Sequence, residues 1–209
     1  MNFSDNITSA LIAFCGIIIG TAITSMMSFV SIKKETKLRI IAKIFDKRIQ
    51  AYENILSLVK SIRTVVPIER TDEGGNLIGY PRSLNSVEEF VEFSNYLFVT
   101  INENTHWLNI ELVRELSFLQ DYFTNLRLTI KKIDEEKVID LGLIIKQDFI
   151  DFALNIENLA FDFFRKDIYD MKINKNTKWH KYKKSETRRR LERTLLFSKK
   201  NEIYNNINQ

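Results

Sequence analysis

The chain has 209 residues, 44% of them hydrophobic, with a single cysteine, two histidines and a net charge of +4. One cysteine excludes a disulfide framework and a thiolate metal site, and two distant histidines give no metal-ligand spacing. Two prolines and six glycines leave long uninterrupted periodicities, so the sequence predicts an all-α chain with no resident metal or cofactor.

Residues 6–32 read NITSALIAFCGIIIGTAITSMMSFVSI and contain no charged side chain. A bilayer core takes about 20 helical residues to cross, so this stretch is long enough to span it. The N-terminal flank carries Asp5 and no Lys or Arg, whereas Lys33, Lys34, Lys37 and Arg39 follow directly. A cleavable signal peptide has the opposite flank and a shorter apolar core, so the expectation is an uncleaved, single-pass anchor in the inner (cell) membrane. The positive-inside rule places the N-terminus outside and the C-terminal domain in the cytoplasm. The same four basic residues form a contact for anionic headgroups. Within the anchor Gly16, Gly20, Thr24 and Ser28 recur every fourth residue. Such a stripe lets helix backbones approach closely and predicts a homo-oligomer.

The expected organisation is therefore an anchor over 1–32, a helical bundle over 33–173 and a basic helix or tail over 174–209. From Lys33 to Val66, Leu38, Ile41, Phe45, Tyr52, Ile55, Val59, Ile62 and Val66 make a heptad seam, with Arg48 in the one missing slot. Ile44, Ile49, Leu56 and Leu58 widen the stripe, which favours packing inside a bundle. Pro67 is expected to end this helix. Residues 67–86, with Gly74, Gly75, Gly79 and Pro81, are expected to form a mobile or functional loop. GGN can turn a short hairpin, but its flanks alternate poorly.

Ser86-Val87-Glu88-Glu89 is a capping box that opens a second helix. A third is expected from about His106 to Ile133. Asp134 then caps a fourth, from Glu135 to about Ile173. Long amphipathic helices with short links predict an antiparallel bundle. In the tail, Ser185 is expected to cap a last helix from Glu186 to about Ser198.

Charge is segregated along the chain. Lys33–Val66 holds 9 Lys or Arg against 3 Asp or Glu, Pro67–Met171 holds 10 against 20, and Lys172–Gln209 holds 12 against 3. The basic tail, with Trp179, Tyr182 and Phe197 interspersed, admits four readings. It can pack on the bundle, lie on the anionic leaflet, neutralise a neighbouring subunit, or bind RNA or DNA through Lys183, Lys184, Arg188, Arg189 and Arg190.

No GxSxG, HExxH or Walker pattern occurs, and His106 reads as a capping or surface residue. Lys175-Asn176-Thr177-Lys178-Trp179-His180 resembles the R-polar-x-x-x-H motif of HEPN domains, helical bundles that often cut RNA without a metal. That resemblance implies catalytic roles for Lys175, Asn176 and His180, with histidine as the proton carrier. Here a lysine replaces the arginine and supplies charge without the bidentate fork. Taken over the whole chain, the anchor, the cytoplasmic bundle and the degenerate motif resemble the small accessory membrane proteins of type VI-B CRISPR–Cas systems. This resemblance implies a HEPN-like bundle and a ring of copies acting as a membrane pore. It also implies a functional link to an RNA-guided nuclease in antiviral defence. A membrane-tethered ribonuclease or RNA binder, and a non-enzymatic scaffold, are the alternatives.

Overall fold

A computed structural model describes residues 3–71, 77–163, 165 and 179–207. Its element order is α1 (Phe3–Arg63), β1 (Val65–Thr71), β2 (Leu77–Pro81), α2 (Val87–Asn104), α3 (Ile110–Ile130), α4 (Val138–Phe163), α5 (Lys184–Leu191), α6 (Leu195–Ser198) and α7 (Lys200–Ile207). Two compact units divide the chain, Met1–Lys47 and Arg48–Gln209.

In the first unit α1 is long and apolar enough to cross a membrane, with a mean hydropathy of 1.9 in its most apolar stretch and none of that stretch buried. Two of its threonines are internally satisfied. Thr21 Oγ1 donates to the carbonyl of Ile17 and Thr24 Oγ1 to that of Gly20, both at 2.8 Å. Such back-bonding suits a hydroxyl to apolar surroundings. Beyond it, Arg39 pairs with Glu35 at 2.7 Å, one helical turn away.

The second unit carries the core. The seam residues Tyr52, Ile55, Val59 and Ile62 are buried there, joined by Ala51 and Leu58. Arg48, the odd residue of the heptad, donates from Nε to the Trp107 carbonyl at 3.2 Å and lies 4.7 Å over the Phe163 ring. Its long side chain thus replaces a seam contact with a polar and a cation–π one.

Of the expected loop over 67–86, residues 67–71 and 77–86 are described, and they carry strand and 3-10 structure. The helix stops at Arg63, before Pro67, and β1 and β2 pair antiparallel with Val65 opposite Pro81 and Pro67 opposite Gly79. The described residues are thus mostly helical, as expected, with two short antiparallel strands that the all-α expectation did not include. The poor alternation of the flanks hid the strands, because the register shifts between Pro67 and Thr71. An irregular pairing breaks the period of two. Gly79 is demanded by this pairing: a Cβ there would sit 2.5 Å from Val65 Cγ1 and 2.7 Å from the Val66 carbonyl oxygen. Gly142 of α4 similarly lets β2 and the following 3-10 turn approach. Its Cβ would lie 3.2 Å from Tyr80 Cβ and 3.3 Å from Leu84 Cβ.

The Ser86 hydroxyl caps α2 by accepting from the Glu89 amide at 3.1 Å, as the sequence predicts. The return arm of the capping box is absent, since the Glu89 carboxylate accepts from the Asn85 side-chain Nδ2 at 2.7 Å instead. α3 begins later than expected. A 3-10 turn over Thr105–Trp107 holds His106, and Asn109 caps the helix by accepting from Leu112 N at 2.8 Å. Asp134 makes no side-chain cap; a 3-10 turn over Glu135–Lys137 precedes α4. The predicted continuation of the fourth helix toward Ile173 lies outside the described residues apart from Arg165.

α2, α3 and α4 pack around an aromatic centre. Phe123 lies 5.4 Å from Phe149 and 5.7 Å from Phe93 between ring centroids, and Tyr52 stacks on Phe163 at 3.7 Å. The tilted and edge-on contacts around Phe123 add to the burial of the rings themselves.

Candidate functional site: the basic tail seated on the bundle

The tail is not one helix capped by Ser185. α5 begins at Lys184 without a side-chain cap, turns at residues 192–194, and is followed by α6 and α7. Leu196 and Ile203 enter the core. The bundle-packing reading of the tail is the one the described residues display.

Two buried acidic side chains hold it. Glu115 of α3 is 8% exposed. It accepts from Arg190 Nη1 at 2.8 Å and Nη2 at 2.6 Å, and from Asn155 Nδ2 at 2.9 Å. The Tyr182 hydroxyl also donates to it. Arg190 lies 4.2 Å over the Phe118 ring and 4.6 Å over the Tyr182 ring. A flat guanidinium can make a bidentate carboxylate pair and stack on aromatic faces at once, which an ammonium cannot. Burial alone pulls Arg190 down, but the Glu115 carboxylate more than offsets this and its pKa is raised. Burial, reinforced by Glu115, raises Tyr182 as well.

Asp148 of α4 is the second. Its carboxylate accepts from the amides of Leu195 at 2.8 Å and Leu196 at 3.0 Å, and from the Tyr122 hydroxyl at 2.9 Å. It thus caps the four-residue α6 from a different helix, satisfying amides that a short helix cannot satisfy itself. Burial raises the Asp148 pKa, with Asp151 adding to the rise, while the two amides and Tyr122 oppose it. Burial and Asp148 together raise Tyr122 well above 10.0.

At residues 179–180 the backbone is pinned on α3. Arg114 Nε donates to the Trp179 carbonyl at 2.8 Å and Ser117 Oγ to the His180 carbonyl at 3.3 Å. The Trp179 and His180 rings lie 4.4 Å apart and both residues are exposed.

The predicted site residues fall as follows. Lys175 and Asn176 lie outside the described residues, so only His180 of that motif is placed, exposed beside Trp179. Lys183, Lys184, Arg188 and Arg189 are exposed, with Arg188 paired to Glu192 at 2.9 Å. Arg190 does not belong with them as a nucleic-acid contact, because Glu115 occupies its guanidinium. Gly16, Gly20, Thr24 and Ser28 are exposed on α1, and a Cβ at either glycine would meet open space. Lys33, Lys34, Lys37 and Arg39 are exposed too.

Glu115, Asp148 and Asn155 were missed from the sequence. A signal for the first two exists: Glu115 adjoins Leu116 and follows Leu112 by three, and Asp148 adjoins Phe149 and follows Ile145 by three. A carboxylate that close to an apolar helical face must be partnered when buried. Which partner takes it depends on chain folding far away in sequence.

No protein-family model matches this chain, and no curated protein or solved structure matches it.

Proposed function

We propose that this chain is a single-pass membrane protein whose copies assemble through the anchor and perturb or perforate the membrane as an antiviral defence effector. In this reading the N-terminus is outside and the bundle cytoplasmic. One observation carries the membrane part. Ile12, Phe14, Ile17, Ile23, Met26 and Phe29 are each more than half exposed, on all sides of α1. Covering one such side chain is worth about 1.5–3 kcal/mol, so the face as a whole demands lipid or other anchors around it. A helix that is apolar on every side has no water-facing orientation. Gly16 and Gly20 supply flat surface on which a second anchor can close. The defence role, the ring and the link to an RNA-guided nuclease rest on the resemblance of the whole-chain architecture.

The test is membrane potential in cells expressing the chain together with an RNA-guided nuclease during phage challenge. Depolarisation that disappears in Gly16→Leu/Gly20→Leu, together with loss of the large detergent-solubilised particle, supports the reading. Full phage protection with normal polarisation overturns the pore mechanism. Loss of protection in His180→Ala with assembly intact would replace it with RNA-directed chemistry. Extraction of the chain by alkaline carbonate would remove the anchor.

A further inference from the structure

We infer that the segment Trp179–Lys184 is a second membrane contact, a shallow seat for anionic phospholipid headgroups; the inference rests on the anchored reading above. Trp179 is 70% exposed although its own backbone and that of His180 are held. Its own carbonyl is held by Arg114 and the next by Ser117. Tyr182, two residues further on, is bonded to Glu115. The indole is thus presented to solvent by a seated chain, not left outside by a loose one. A groove of about 580 Å³ adjoins it, lined among others by Lys181, Lys184, Leu191 and Phe197.

Each part has a role at a lipid interface. Indole favours the headgroup level because it is apolar with one N–H donor. Lysines near the surface are drawn to anionic lipid. Leu191 and Phe197 add apolar lining to the same groove. Asp121 and Glu192 also line the groove and oppose an anion, but Glu192 is paired to Arg188 at 2.9 Å. Lys183, exposed between Tyr182 and Lys184 in sequence, adds positive charge nearby.

Single-stranded nucleic acid fits less well. It is bound by successive stacking platforms along a basic track. Here one indole faces out, with His180 against it, while the Tyr182 ring has the Arg190 guanidinium 4.6 Å and the Arg114 guanidinium 5.6 Å from its centroid. Among the described residues, a stacked run of bases finds no second exposed ring next to Trp179 other than His180.

The test uses full-length protein in nanodiscs of phosphatidylcholine alone or with phosphatidylglycerol, some of the lipid brominated. Trp107→Phe leaves Trp179 as the single tryptophan, and the native-minus-Trp179→Phe difference gives the same signal if that variant misfolds. The expected result is bromolipid quenching of Trp179 and a blue-shifted emission in anionic discs only. Lys181→Glu/Lys184→Glu should weaken the contact about 30-fold, and about 1 M salt should reverse it. Equal, unquenched emission in both discs, with the protein incorporated, overturns the inference and leaves the anchor standing. Quenching by an oligoribonucleotide but not by lipid overturns it in favour of nucleic acid. Failure to incorporate at all removes the anchored reading and this contact with it.

Discussion

Replacing Glu115 with alanine should release the first half of the tail. The carboxylate takes both terminal nitrogens of Arg190, at 2.8 and 2.6 Å, together with Asn155 and the Tyr182 hydroxyl. The Glu115 and Arg190 side chains are 9% and 25% exposed. Removing one partner of a buried pair strands the other charge, at a cost of about 3–5 kcal/mol. Water that reaches the quarter-exposed guanidinium screens part of this and selects the lower end, about 3 kcal/mol. That is a change of more than about 100-fold in the equilibrium between seated and released tail. Leu196 and Ile203 remain in the core, so release is local to residues 179–191. Trypsin should therefore cut at Lys181, Lys183 or Lys184 far faster in detergent-solubilised Glu115→Ala than in the native chain. Urea unfolding followed by tryptophan fluorescence gives the accompanying loss of stability. Glu115→Leu/Arg190→Met should recover most of it, because an apolar pair carries no desolvation cost. A cleavage rate unchanged from native, with less than about 0.5 kcal/mol lost, would refute the argument, since that is the scale of a surface pair.

Asp148→Ala removes the cap of α6 and leaves the Tyr122 hydroxyl buried without its acceptor. A loss of about 2–3 kcal/mol is expected, read as a lower urea midpoint, and Asp148→Asn should recover part of it. Tyr122 stays neutral in the fold above 10.0, the value at which it ionises when unfolded. The native state then holds more protons than the unfolded one, so stability is full below pH 10 and falls as pH rises further. Tyr122→Phe should flatten that fall in thermal unfolding measured between about pH 9 and 11. Gly79→Ala places a methyl 2.5 Å from Val65 Cγ1 and 2.7 Å from backbone oxygen. The hairpin must shift, with about 1–3 kcal/mol lost in the same unfolding assay.

The capped start of α2 and the buried stretch of α1 were legible because each rests on local spacing. Ser86 reaches an amide three residues on, and Tyr52, Ile55, Val59 and Ile62 repeat along one face. The hairpin was not legible. Its irregular pairing around Pro67 erases alternation, and Gly79 reveals its purpose only when Val65 lies across from it. Arg190 read as one more cation in a basic run. Nothing within several residues of it distinguishes it from Arg188 or Arg189.

The sequence by itself determined where this protein is apolar and where it is charged: the uncharged stretch over 6–32, the basic flank after it, the acidic helices and the basic tail. Composition and period fix those properties before any contact forms. Only the tertiary structure decided what the charges do. Glu115 and Arg190 are 75 residues apart, and Asp148 caps a helix that begins 47 residues later. Pairings at that separation are set by how α3, α4 and the tail pack. The same packing joins Arg190 to Glu115 and leaves Trp179 facing outward.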